Sequence, residues 1–191
     1  HMIYHLASNG VMATVLSNGS LSSTTSGEGV IREKIVRDNL VECIIALPKQ
    51  LFYNTGIPAT IWILRRGRDQ KDNQTLFIDA SELGYMKTRV IRDFKDDEIA
   101  KIEETYKKWR NQEGYEDIAG FCKSATLEEI AEHDFVLTPG RYVGIVHEED
   151  DDTSFEEKME YLTSTLAKQM EQEKILDDEI KEQLSKIGYS L

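Results

Sequence analysis

Residues 40–66, LVECIIALPKQLFYNTGIPATIWILRR, constrain this chain more than any other stretch, because two apolar runs too short for helices flank a link too long for a plain hairpin. Residues 41–47 and 60–64 are dense in β-branched and apolar side chains and read as buried strands. Pro48 and Pro58 stiffen the two ends of the link by fixing φ and restricting the residue before each. Phe52 and Tyr53 lie at its centre, followed by Asn54, Thr55 and Gly56. A rigid loop with an aromatic pair can offer a flat face to a ligand, and it can equally plug the end of a sheet. The sequence leaves both readings open.

The flanking segments set the topology. Residues 11–16 read as a strand, and residues 17–26 as a flexible run of small polar residues around Gly19 at its carboxyl end. Residues 27–39 form a predicted helix with Val30, Ile31 and Ile35 on its buried side. Strand, loop, helix and strand make a βαβ crossover, which predicts parallel pairing through a right-handed connection. The link at 48–59 then reverses the chain, so residues 60–64 run antiparallel to their neighbour. Residues 3–9 read as the end of a helix closed by Asn9-Gly10.

Beyond the hairpin, residues 75–80 read as a strand and 81–94 as irregular. Residues 96–110 carry Ile99, Ile102, Tyr106 and Trp109 at helical spacing, with Asp96, Asp97 and Glu98 at the positive end of the helix dipole. Thr126 and Glu129 make a capping box for a short helix reaching Glu132, after which Pro139-Gly140 breaks the chain. Thr153 and Glu156 are placed to cap a long helix running to about Ile187. Phe155, Met159, Leu162, Leu166, Met170, Leu176, Ile180 and Leu184 recur along it by threes and fours, interrupted near Glu173 and Ile175. No second long helix of matching pattern is visible, so the stripe suits docking on a partner subunit, with packing on its own domain as the other reading.

With 35 acidic against 23 basic residues the net charge is -12, which argues against a broad nucleic-acid-binding face. The acids concentrate at Glu148, Glu149, Asp150, Asp151, Asp152, Glu156 and Glu157. Arg32, Lys34, Arg37, Lys49, Arg65, Arg66 and Arg68 fall earlier, so any nucleic-acid contact is expected in the first third. Cys43 lies in an apolar strand far from Cys122, which gives neither a disulfide framework nor a zinc signature and suits a reducing cytoplasm. No run has the length of a membrane span. His1, His5, His133 and His147 lack metal-ligand spacing, and no metal is expected. Gly27-Glu28-Gly29 is not a phosphate loop, since Arg32 stands where a third glycine belongs and no Gly-Lys-Ser/Thr follows. Ser17, Ser20, Ser22 and Ser23 have no nucleophile-elbow context, and Asp79 reads as a turn initiator. His1-Met2 looks like the remnant of a cleaved affinity tag.

Gly10-Val-Met-Ala-Thr-Val-Leu-Ser-Asn-Gly19, Ile31-Arg-Glu-Lys-Ile35, Leu47-Pro48, Leu51-Phe-Tyr-Asn-Thr-Gly-Ile-Pro-Ala59, Leu76-Phe-Ile-Asp-Ala80 and Pro139-Gly-Arg-Tyr142 closely resemble the modification (methylation) subunit of type I restriction-modification systems. The match covers most of residues 3–145. The resemblance implies an α/β fold, the C-terminal portion of a class I, Rossmann-like methyltransferase sheet that uses S-adenosylmethionine to methylate the exocyclic amine of adenine in DNA, followed by a helical tail. Residues 11–16, 41–47 and 60–64 then look like its fifth, sixth and seventh strands. Where the family has Leu-Pro-Asn-Gly this chain has Leu16-Ser17-Asn18-Gly19, which implies a softer loop.

By the same resemblance Phe52, Tyr53, Asn54 and Thr55 look like the loop lining the target base, with Asn18 and Gly19 beside it. The helix of residues 153–187 looks like the element that docks on the sequence-specificity subunit, and a restriction subunit is a further possible partner. The family's Asn-Pro-Pro-Phe segment and Gly-rich cofactor turn do not occur in this chain. Both are expected upstream of Ile3, so the chain is expected to be inactive alone, to bind S-adenosylmethionine poorly and to leave a sheet edge on which a second copy could pair. The expected organisation is a tag remnant at 1–2, the methyltransferase-like domain at 3–95, a helical and irregular extension at 96–147, and an acidic linker with the docking helix at 148–191. The competing reading is a complete, non-catalytic assembly module that binds its partner through that helix.

Overall fold

A computed structural model describes residues 1–68, 73–145 and 155–186. The chain divides into two compact units, His1–Val146 and His147–Leu191.

The first unit is built on a five-stranded sheet. Its strands are β1 (Val11–Ser17), β2 (Val41–Ala46), β3 (Ala59–Arg65), β4 (Gln74–Asp79) and β7 (Cys122–Thr126), in the order β1-β3-β2-β4-β7. A separate small ribbon pairs β5 (Tyr85–Met86) with β6 (Arg92–Asp93). The helices are α1 (Glu28–Arg37), α2 (Asp96–Asn111) and α3 (Leu127–Glu132).

β3 runs antiparallel to both β1 and β2, so the last two run in the same direction, as the crossover predicts. They are not neighbours, because β3 inserts between them. The sheet also continues on the far side of β2, where β4 pairs in parallel and β7 follows antiparallel. Every residue of β2 is buried, which accounts for its unbroken apolar run. Alternation in β3 sends Trp62 and Leu64 into one core and Ile61 and Ile63 toward the other. The first core, under α1 and α3, holds Leu21, Val36, Phe77, Ile130, Phe135, Leu137 and Tyr142. The second, under α2, holds Cys43, Leu76, Ile78 and Phe121, with Ile102, Tyr106 and Trp109 packed against it.

Several sequence expectations are corrected. Residues 3–9 do not end an α-helix: a single 3-10 turn spans Ile3–His5, and Gly10 closes a tight turn on Ala7. The buried side of α1 is Arg32 and Val36, with Ile35 half-buried, whereas Val30 and Ile31 are exposed. Arg32 occupies the core side because its guanidinium donates to the carbonyls of Phe135 (2.6 Å), Ser23 (2.8 Å) and Ser20 (3.4 Å), so the buried charge is held by three hydrogen bonds. Residues 17–26 carry more local structure than a plain loop. They hold two 3-10 turns, Asn18–Leu21 and Thr25–Gly27, anchored by the fully buried Leu21. The capping box of α3 forms as read, with Thr126 Oγ1 accepting from Glu129 N and Glu129 Oε2 accepting from Thr126 N.

The second unit contributes α4 (Phe155–Lys186). Met159, Leu162, Leu166, Met170, Leu176 and Ile180 are exposed along it. Leu184 is half-buried. The side chain of Phe155, the cap expected at Thr153 with Glu156, the acids at 148–152 and Ile187 lie outside the described residues.

Candidate functional site

Strand register gathers the segments singled out in the sequence at one edge of the sheet. Ser17, the last residue of β1, faces Ala59; Ala46, the last of β2, faces Thr60 and is level with Asp79, the last of β4. The turn of Asn18 and Gly19, the loop at 48–58 and the segment after Asp79 therefore all leave from the carboxyl ends of the parallel strands. In open α/β sheets that edge is where ligands bind.

The loop is narrow-necked and internally tied. Leu47 N donates to Ala59 O at 2.9 Å across its base, Phe52 and Thr55 form a bridge, and Thr55 Oγ1 accepts from Ile57 N at 3.2 Å. Pro48 is fully buried and Leu51 packs against the α2-side core, so these two residues plug the sheet end. The aromatic pair does not: Phe52 is 39% and Tyr53 94% exposed. Asn54 is exposed beside them.

On the β1 side, Ser20 Oγ donates to Ser17 O at 2.8 Å and accepts from Trp62 Nε1 at 3.2 Å, while the amides of Ser22 and Ser23 both reach Gly19 O. Asn18 is held at the head of this turn with its Oδ1 buried and without a hydrogen-bond partner. A buried acceptor of that kind carries a desolvation cost until a donor meets it. Gly19 is exposed, and a Cβ added there would approach only Ser17 Oγ, at 3.8 Å.

The basic residues of the first third mostly hold the fold. Arg65 pairs with Glu42, Arg66 donates to Leu6 O and Ile3 O, Arg68 donates to Val41 O and Gln74 O, and Arg37 pairs with Glu33 and lies over Phe135. With Arg32 buried, Lys34 and Lys49 are the members of that set left on the open surface without such anchoring. Burial pushes the thiols of Cys43 and Cys122 up, so neither is a ready nucleophile. Among the described residues no group of three or more His, Cys, Asp or Glu side chains could hold a metal, and no helix is long and apolar enough to cross a membrane.

Sequence reasoning missed the β5–β6 ribbon, which stands against the loop through a 2.8 Å hydrogen bond from Arg92 N to Gln50 O. Two-residue strands leave no readable alternation. The only local signal was Gly84, whose φ of +84° starts the ribbon.

The family model for N-6 DNA methylases matches residues 1–151. This chain belongs to that family. It is 56% identical over 99% of its length to the type I restriction enzyme HindI methylase subunit of Haemophilus influenzae, and 38% identical over 99% to the MjaIX methylase subunit of Methanocaldococcus jannaschii. It spans 42% and 34% of those two proteins. A crystal structure of a type I restriction-modification methyltransferase subunit from Streptococcus thermophilus superposes with a TM-score of 0.66 at 38% identity, over 75% of this chain and 28% of that one. The α/β sheet is thus that of the Rossmann-like type I methylase subunits.

The family implies S-adenosylmethionine. The turn after β1 has open space at Gly19, the link after β2 begins with a buried proline, and the carboxylate of Asp79 accepts from Ser81 N at 3.0 Å with Gly140 packed on it. Among the described residues, no strand end carries the Gly-x-Gly-x-x-Gly turn that cradles a dinucleotide in such folds.

Proposed function

We propose that this chain supplies the target-base loop and a subunit-docking helix to a type I methylase subunit, and that the complete subunit is a site-specific, adenine-specific DNA-methyltransferase moving a methyl group from S-adenosylmethionine to N6 of adenine. The observation that carries this reading is Tyr53, nearly fully exposed on a loop whose base is pinned and whose plug is provided by other residues. Chemistry on a base needs it out of the stack and held against an aromatic face. Phe52, Tyr53, Asn54 and Thr55 serve as that face, with Asn18 and Gly19 beside them on the same sheet edge. The chain alone is inactive, acts within a cytoplasmic complex, and leaves cofactor binding to the rest of the subunit.

The relatives' names support the assignment to a type I system. Its partners are then DNA and a specificity subunit docked on α4, with a restriction subunit as a further candidate. β1 is an outer strand of the sheet, with Val11 and Val15 exposed, and is where a second copy of the isolated chain would pair. Stacking on one base contributes about 1–3 kcal/mol, so Phe52→Ala and Tyr53→Ala in the complete enzyme should each lower methylation or DNA affinity by roughly 5- to 150-fold. Unchanged values for both would remove the loop from the base site.

The second reading, a non-catalytic assembly module, draws on the exposed apolar stripe of α4. Ending the chain at Glu149 tests the docking role that both readings give α4: it predicts loss of partner binding from a still-folded first unit. Retained binding would move the interface into the sheet unit.

A further inference from the structure

The ribbon beside the base loop is built more firmly than its exposure would require. At its foot, Glu98 accepts from Gly84 N (2.9 Å) and Lys95 N (2.8 Å), locking the ribbon to the first turn of α2. Arg92 Nη1 donates to Leu83 O at 2.9 Å, and the backbone of Arg92 reaches across to Gln50. A Cβ on Gly84 would sit 2.8 Å from Asp93 O, so the two strands close there only because the residue is glycine.

The tip is equally fixed. The amides of Lys87 and Thr88 both donate to Ile91 O, and Thr88 Oγ1 accepts from Ile91 N at 3.1 Å and Val90 N at 3.4 Å. Yet residues 85–90 are all exposed, Val90 by 64%. An ordered, solvent-facing ribbon loses little conformational freedom when something binds to it. Its tip carries Lys87 and Arg89. Asp93 holds the Lys87 ammonium through a side-chain ion pair. Lys49 is exposed on the loop itself. Glu98 is engaged by two backbone amides, and Asp93 by Phe94 N and one N–H of Lys87, whose ammonium keeps two further donors.

We propose that the β5–β6 ribbon is a phosphate clamp, in which Lys87 and Arg89 each bind a backbone phosphate of the DNA strand flanking the base offered to the Tyr53 loop. This rests on the base-loop reading above: a base turned out about its backbone brings the flanking phosphates beside the loop that receives it. Arginine suits one phosphate through its planar fork and lysine suits the other as a point charge. Such contacts position the strand without reading its sequence.

The test uses the complete methylase assembled with its specificity subunit, carrying Lys87→Ala with Arg89→Ala, and follows binding of a mixed-sequence DNA duplex by fluorescence anisotropy over a range of KCl. Loss of two phosphate contacts should flatten the slope of log affinity against log salt by about 2, with weaker binding at every sequence and an unchanged Tm. The charge-preserving pair Lys87→Arg with Arg89→Lys should restore the slope. An unchanged slope while Tyr53→Ala still lowers methylation would overturn the clamp and leave the base loop standing. A flattened slope with Tyr53→Ala silent would keep the phosphate contact and remove the base-loop reading. If the double variant instead sheds the specificity subunit on gel filtration, with the slope of the remaining complex unaltered, the ribbon is a protein contact and the clamp is wrong.

Discussion

Glu42, 2% exposed, receives Arg65 Nε on both carboxylate oxygens, at 2.9 and 2.8 Å. The pair exists because register shifts between Val41 and Cys43, making Glu42 the extra residue of a bulge whose side chain is re-aimed toward the end of β3. Arg110 at 3.9 Å is half exposed and adds little. Glu42→Ala should cost about 3 kcal/mol, the lower end of the range for breaking a buried pair, since Arg65 keeps some contact with water. Replacing both by Leu and Met should recover most of that loss. Urea unfolding of the two single variants and the double variant, arranged as a cycle, measures the coupling.

The Pro139-Gly-Arg-Tyr142 motif ends in an aromatic clamp. Tyr142 stacks on Phe77 of β4 with ring centroids 3.9 Å apart and planes within 6°, and its hydroxyl donates to Val136 O. Burial pushes that hydroxyl's pKa up, so it stays a donor through the working range of pH. Tyr142→Phe should keep the stack and lose about 1 kcal/mol, the ordinary net value of a hydrogen bond. Tyr142→Ala should lose about 3–5 kcal/mol by opening a cavity against Phe77. Equal losses in thermal unfolding would mean that the stack contributes nothing.

Which parts of this fold were legible in the sequence follows from where the partners lie. β2, β3 and β4 were readable because burial on two faces leaves dense apolar runs, and the short helix at Thr126 was readable because its cap is local. The buried face of α1 was not. Periodicity favoured Val30 and Ile31, but Arg32 is turned inward by a carbonyl at Phe135, 103 residues away. Ile31 instead lines an open groove with Met12, Leu16 and Ile35. β7 was missed because Cys-Lys-Ser-Ala-Thr has no alternation, and only its pairing with β4 makes it a strand. At the candidate site, the two prolines and the aromatic pair marked the loop, while the division of labour between Leu51 and Tyr53 depends on packing against α2 that no local pattern encodes.

The α3 cap makes a pH-dependent contribution. The Lys123 ammonium, then the Thr126 amide, hold the Glu129 carboxyl below the ordinary glutamate value of about 4.3. A carboxyl whose pKa is lower folded than unfolded stabilises the fold fully above the unfolded value, and that contribution is lost as pH falls through the folded one. Glu129→Gln keeps a side chain able to reach the Thr126 amide but removes the charge. The Tm gap between wild type and Glu129→Gln should therefore be largest above about pH 5 and close progressively below about pH 4. A gap that widens on acidification would assign the effect to another group.

The helix α4 exposes large apolar side chains that its own unit does not cover, and in water a helix is held mainly by packing of such a face. Leu166 and Met170, 56% and 53% exposed, are one turn apart near the middle of the stripe. If the stripe meets a partner, Leu166→Lys with Met170→Lys places two ammonium groups in an apolar interface, each costing several kcal/mol to desolvate, and binding should fall by well over a hundredfold. The first unit should unfold at an unchanged temperature, since it is a separate compact body. Calorimetric titration with a specificity subunit reads the first quantity and differential scanning the second. Undiminished binding would place the docking surface elsewhere, and a lowered Tm of the first unit would show that the stripe packs at home.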